Sequence, residues 1–174
     1  MTDHPAIEFI QNEDHYARVV EEGVLAARRS LHIATANLKN LHVIRGRKSR
    51  SIVDIFADLV DRGVAIRVLH GARPSSPFAE SLASHSTLAR DERFEMLFCP
   101  RTHFKMILVD DSLLYAGSAN LTGAGLGAKS PARRNFETGF LTTDPEMIAP
   151  YRDLFTRIWS GEFCEECGRR EHCE

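Results

Sequence analysis

Apolar positions along the chain switch repeatedly between helical and strand spacing. Tyr16, Val19, Val20, Gly23, Ala26 and Ala27 recur three or four apart, which predicts a helix over 14–29 with one apolar face. Residues 30–37 form a β-prone run, and Ile52, Ile55, Phe56 and Leu59 mark a second amphipathic helix over 51–62, closed by Gly63. A strand over 64–70 follows, so strand, helix and strand stand in the order of a crossover between parallel strands. Short β-like runs at 93–99, 104–109 and 113–117 come next, and Asp110-Asp111-Ser112 reads as the turn of a hairpin between the last two. A further strand over 135–142 and a helix over 145–159, opened by Asp144-Pro145, complete the pattern. No long period repeats. These elements predict an α/β fold, a mixed β-sheet flanked by helices on both faces.

The chain has 174 residues, 43% hydrophobic and 26% charged, which is one domain's length and ordinary globular composition. We expect a body over 1–160 and a short acidic Cys/His-rich tail over 161–174. The 22 Lys and Arg against 24 Asp and Glu create no strong overall field, so the distribution of charge has to point to a partner. Residues 39–50 hold Lys39, Arg45, Arg47, Lys48 and Arg50 without an acid, and residues 120–135 hold Lys129, Arg133 and Arg134, also without one, in a loop read as flexible and basic. The longest stretch lacking charge, 112–128, is broken by four Gly and predicts no membrane insertion. The first residues carry Asp3 and Glu8 and no basic group, unlike a targeting peptide, so a cytoplasmic address with reduced or metal-bound cysteines is expected.

The densest chemistry lies between His103 and Asn120. In a strand, residues two apart face one side, so His103 and Lys105 project together, as do Ser118 and Asn120, and the hairpin brings the pairs close. A neutral imidazole is a nucleophile, an ammonium neutralises a phosphate oxygen, and hydroxyl and amide groups bind the remaining oxygens. Those are the requirements of a phosphodiesterase. The run from His103 through Lys105, Asp110, Gly117 and Ser118 to Asn120 resembles the phospholipase D superfamily signature HxKxxxxDxxxxxxGSxN at every fixed position. The strand, helix and strand order over 30–70 and Asn135-Phe136-Glu137 are similar to the same family, so the resemblance covers most of the chain except its tail.

The resemblance implies that His103 attacks phosphorus to form a phosphohistidine, that Lys105 and Asn120 bind phosphate with help from Ser118, and that Glu137 orients His103. Asp110 is an odd number of residues from His103 and is expected to play a structural hydrogen-bonding role rather than to react, and Gly117 is likewise a structural position of the motif. Charge stabilisation by Lys105 and paired imidazoles requires no metal. Protonating the leaving alkoxide calls for a second histidine, yet no other His of the chain is followed two positions later by Lys. A homodimer is therefore expected, each His103 serving its partner's site.

The motif does not choose between DNA, RNA and phospholipid. Arg45, Arg47, Lys48, Lys129, Arg133 and Arg134 are candidate phosphate contacts along a polyanion, which favours an endonuclease. A phospholipase D-type lipid hydrolase or transferase and an inactive nucleic-acid-binding module are the alternatives. In the tail, Cys164, Cys167 and Cys173 have metal-ligand spacing, with His172 or Cys99 as a fourth ligand of a structural zinc; reduced thiols, a redox pair or an iron-sulfur cluster are the competing readings. Phe155 and Trp159 are expected in the core, and His32 and His70 as satisfied strand residues.

Overall fold

A computed structural model describes residues 7–45 and 48–173, and for Arg45 the backbone only. Seven strands form one mixed sheet: β1 (Ile7–Gln11), β2 (Ser30–Thr35), β5 (Ala65–His70), β6 (Phe94–Phe98), β7 (Lys105–Val109), β8 (Leu113–Gly117) and β9 (Thr138–Thr142). Their order is β1-β9-β8-β7-β2-β5-β6. β2, β5 and β6 are parallel, whereas β7, β8, β9 and β1 run antiparallel to their neighbours. A separate two-stranded hairpin joins β3 (His42–Arg45) to β4 (Lys48–Ser51).

Strand alternation decides which side chains enter which core. Leu31, Ile33, Ile66, Val68, Ile107 and Val109 point to one face, where they meet the apolar sides of helix α1 (Ile52–Asp61) and Phe78 of helix α2 (Ser76–Ser84). Ala34, Leu69, Met106, Leu108 and Leu114 point to the other, under Ile148 and Phe155 of helix α3 (Pro145–Trp159). The sheet is thus covered by helices on both faces, as the periodicity implied.

α1 begins where Ser51 and Asp54 close a capping box, each side chain accepting from the other's backbone N–H. α3 starts at Pro145 behind Asp144, whose carboxylate accepts from the backbone N–H of Glu146 at 2.9 Å. His32 stacks on Phe155 with ring centroids 5.1 Å apart, and Phe155 on Trp159 at 5.6 Å.

Three readings need correction. The helix expected over 14–29 is a π-helical segment (His15–Glu21) followed by a 3₁₀ turn (Val24–Ala26). His15, Val19 and Val20 are buried at i, i+4 and i+5, the spacing of the wider π turn, and at Gly23 any Cβ would stand 2.5 Å from the carbonyl oxygen of Val19. The strand expected over 135–142 begins only at Thr138, because the preceding residues turn to bond elsewhere. The loop over 120–135 is irregular but tied down: Leu121, Thr122 and Leu126 are buried, and the backbone N–H groups of Lys129 and Asn135 donate to Gly123 and Ala124. Strand β1 and helix α2 had no counterpart in the sequence reading, and the basic segment 39–50 turns out to carry the β3–β4 hairpin.

At the far end of the β7–β8 hairpin, Asp110 and Asp111 both take left-handed φ, 53° and 55°, which closes the tight turn. The Asp110 carboxylate accepts from the backbone N–H groups of Arg28 at 3.0 Å, Arg29 at 2.7 Å and Ser30 at 2.9 Å, fixing the entry to β2.

Candidate active site

The parallel strands β2 and β5 end, and the antiparallel β7 and β9 begin, at one edge of the sheet, where β8 and β1 also end. Carboxyl ends of parallel strands are where open α/β sheets bind ligands. Here the register pairs Lys105 with Gly117, so His103, two residues before β7, and Ser118, one residue after β8, both lie just beyond the paired ends of the hairpin. His103, Lys105, Gly117, Ser118 and Thr138 line one cavity.

His103 is exposed and separates two openings. Besides the cavity just described, it lines a second one with Asn37, Gly71, Arg101 and Arg169. Lys105 Nζ donates to the carbonyl oxygen of His103 at 2.6 Å and lies 3.5 Å from its Nδ1, so the ammonium is held over the imidazole. Gly71 permits the approach of the loop before His103, since a Cβ there would stand 2.0 Å from the carbonyl oxygen of Thr102.

Asn120 is fixed through its side-chain oxygen. Oδ1 accepts from the backbone N–H of Asn37 at 2.9 Å and from Thr35 Oγ1 at 3.3 Å. Both bonds use the acceptor end, so the amide's two N–H donors are the end left for an anion. Thr35 Oγ1 also accepts from the backbone N–H of Leu121 at 3.0 Å, which ties β2 to the loop after β8.

Within one chain Glu137 is bonded to groups other than His103. Its buried carboxylate accepts a close hydrogen bond from Ser118 Oγ and another from Asn135 Nδ2 at 3.0 Å, rather than bonding to His103. The backbone of Glu137 is bracketed by Asn12, whose Oδ1 accepts from Glu137 N at 3.2 Å and whose N–H donates to Glu137 O at 2.9 Å. Glu137 therefore sets the direction of Ser118 within one chain.

Behind this layer lies Tyr115, 1% exposed, whose phenolic oxygen accepts from the backbone N–H of Ala119 at 3.1 Å. Burial pushes its pKa up, only partly offset by that N–H, so it remains a phenol. His15 meets Tyr115 edge to face at 5.3 Å. Burial lowers the pKa of His15, so its ring is kept neutral.

Gly117 is required at the end of β8. A Cβ there would lie 2.5 Å from Thr138 O, 2.6 Å from the Tyr115 hydroxyl and 2.7 Å from the Gly139 Cα. We expect Gly117→Val to lower stability by roughly 1–3 kcal/mol, seen as a lower urea midpoint at unchanged slope.

The basic candidates are dispersed. Arg47 lies outside the described residues, as does the Arg45 side chain, while Lys48 is exposed on β4. Arg134 pairs with Glu13 at 3.0 Å, so it is engaged, whereas Lys129 and Arg133 are exposed. Lys48, Lys129, Arg133 and Arg134 line neither cavity beside His103. The cations that do are Lys105, Arg101 and Arg169, and the last two were missed because neither lies in one of the two acid-free basic segments. Asn12, Thr35 and Asn37 were missed as well; only the Asn-Glu-Asp turn signal at 12–14 pointed toward the first.

The tail is not detached. Arg157 pairs with Glu162 at 2.8 Å and lies over the Phe163 ring at 4.7 Å, and Arg169 Nη1 donates to the carbonyl oxygen of Pro100 at 3.2 Å. Among the described residues, no group of three or more His, Cys, Asp or Glu side chains is close enough to hold a metal ion, and no helix is long and apolar enough to cross a membrane.

Residues 23–159 match the family model described as cardiolipin synthase, PLD-like domain. The chain is 26% identical over 144 residues to the mitochondrial cardiolipin hydrolase of Danio rerio, covering 83% of this chain and 56% of that protein. The chain thus spans about half the length of this curated relative. Its fold is similar to that of Nuc, a phospholipase D family member from Salmonella typhimurium, at a TM-score of 0.64 and 16% identity, with 90% of this chain and 95% of that one covered. NucT from Helicobacter pylori gives a TM-score of 0.63 at 14% identity, covering 88% and 96%. TrmBL2, an archaeal chromatin protein described as showing a novel mode of DNA binding, gives 0.56 at 15%, covering 92% and 54%.

Proposed function

From its membership of the phospholipase D-like family, to which this chain belongs, we propose that the protein is a metal-independent endonuclease, hydrolysing DNA or RNA backbones through a phosphohistidine in a homodimeric site. The observation that carries this reading is His103 at the strand edge beside Lys105 Nζ, lining two openings, one with Arg101 and Arg169 and the other with Lys105. A passage with cations on its wall suits a strand that runs past the nucleophile better than a single headgroup.

In the first step a ring nitrogen of His103 attacks phosphorus, the P–O bond to the leaving alkoxide breaks, and that oxygen takes a proton from the imidazolium of His103 of the partner subunit. In the second step the now neutral partner imidazole takes a proton from water, whose oxygen displaces His103 from phosphorus. Lys105 and the Asn120 amide bear the charge on the non-bridging oxygens, and Ser118, directed by Glu137, donates to one of them. Because each reaction needs two imidazoles, activity should fall on dilution as dimers dissociate; a monomer that is active by light scattering measured alongside turnover would defeat the dimeric site.

A second reading, lipid hydrolysis, is favoured by the name of the Danio rerio relative. The discriminating experiment incubates the protein with single- and double-stranded DNA, RNA and cardiolipin-containing vesicles, with and without EDTA. The expected result is nucleic acid cut in both buffers and vesicles intact. Headgroup release with nucleic acid uncut would establish the lipid reading, and salt-sensitive nucleic-acid binding without product would establish a binding module. Loss of cleavage in EDTA without unfolding would overturn the metal-independent mechanism.

A further inference from the structure

We propose that Cys99, Cys164, Cys167 and Cys173 are the four ligands of one structural zinc ion, which clamps the C-terminal segment to the loop that presents His103. All four cysteines of the chain line a single cavity of about 580 Å³ between the end of α3 and the loop after β6.

The backbone of the tail explains why three of them converge. Successive turns link Cys164 N–H to Gly161 O at 2.9 Å, Cys167 N–H to Cys164 O at 3.3 Å, Arg170 N–H to Cys167 O at 3.2 Å and Cys173 N–H to Arg170 O at 3.1 Å. Each bond closes a separate turn from i+3 to i, and the last caps the 3₁₀ turn Arg170–His172. Gly161, Cys164, Cys167, Arg170 and Cys173, three apart in sequence, all line the cavity and make one stripe along it.

His172 falls off that stripe. It does not line the cavity, its side chain is 63% exposed, and its Nε2 lies 3.5 Å from Glu171 Oε1. Cys99 faces the stripe from the opposite wall. It is anchored by its backbone N–H donating to His70 O at 2.9 Å, while its carbonyl oxygen accepts from Thr102 N–H at 2.9 Å. The choice of fourth ligand that spacing alone leaves open is therefore made by the fold in favour of Cys99.

Four thiolates around one divalent ion leave two negative charges, and Arg101 and Arg170 on the same walls offset them. Binding releases four thiol protons to solvent and changes no oxidation state. The sulfurs ring the cavity without yet meeting at one point, so coordination at about 2.3 Å per Zn–S bond requires the exposed Cys164 and Cys173 to close inward. Closure would draw the tail toward Cys99, four residues before His103, where Arg169 already bonds to Pro100.

The test uses the full chain purified under reducing conditions. Elemental analysis should give close to one zinc per chain, and cobalt replacement should give the near-ultraviolet sulfur-to-cobalt absorption of a tetrathiolate site. His172→Gln should keep both signals, and Cys99→Ser should lower metal retention by roughly 10–100-fold. Because Cys99→Ser can fail to fold, alkylation mapping of the wild-type chain runs beside it. Zinc should protect all four cysteines, and a strong chelator should expose them all. Less than about one-tenth of a zinc per chain, iron with acid-labile sulfide in its place, or Cys99 alkylated equally with and without zinc would overturn the proposal. None of these readouts depends on hydrolysis, so they stand apart from the fate of the nuclease reading.

Discussion

Replacing His103 with alanine should lower phosphodiester cleavage by at least about 10⁴-fold, since loss of a nucleophile removes the covalent route altogether. The fold should survive. His103 is exposed at the sheet edge, and the Lys105 bond is to its backbone oxygen, which alanine keeps. A matched pair of measurements checks both halves: single-turnover rates on the substrate that the wild type cuts, and the thermal midpoint of each protein. Rapid acid-free quenching with labelled substrate should trap phosphorus on the wild type and none on the variant. A variant cutting within about tenfold of the wild type would remove His103 from the reaction.

Asp110→Ala should lower stability without touching the chemistry. Its carboxylate holds the backbone N–H groups of Arg28, Arg29 and Ser30, on the side of the sheet remote from His103. A charge-assisted bond contributes about 1.5–3 kcal/mol, but these partly exposed donors regain water, so we expect a net loss of about 2 kcal/mol. For a chain of this length that lowers Tm by roughly 4–8 °C. The pH dependence follows from the direction of its pKa. Burial alone would raise it, yet the N–H groups of Ser30, Arg29 and Arg28 and the Arg29 charge more than offset burial, and the folded pKa is lowered. The stabilisation is present above the unfolded carboxyl pKa of about 3.9 and disappears as pH falls through the lower folded value. The gap in Tm between wild type and Asp110→Ala should therefore be full near neutrality and narrow below about pH 4. An unchanged gap at acid pH would contradict this account.

What could be read from the sequence was whatever depends on local periodicity or fixed spacing. The β-prone runs of β2, β5, β7 and β8, the apolar spacing of α1, the Asp144-Pro145 start of α3 and the hairpin turn at Asp110-Asp111 are all local, and each has its counterpart in the structure. Elements set by tertiary contact were hidden. β1 is an edge strand with Ile7 and Phe9 exposed, so its alternation carries no clear core face, and its existence depends on pairing with β9 far along the chain. The π turn at His15–Glu21 has no propensity signature that separates it from an α-helix. In the site, the motif marked the reacting groups, but the residues that aim them lie far away in sequence. Asn12 brackets Glu137 across 125 positions, and Asn37 holds Asn120 across 83. Arg101 and Arg169 meet beside His103 only because the tail folds back on Pro100.

The five residues of β7, the three turn residues Asp110, Asp111 and Ser112 and the five residues of β8 make the interval from Lys105 to Gly117 a ruler of fixed length. One tip of that ruler bears the reacting groups, and the other is riveted to the start of β2 by Asp110. Adding a single residue to either arm would rotate every later side chain onto the opposite side of the sheet. The gap between Lys105 and Gly117 in the signature is thus, in this chain, a measurement of strand length.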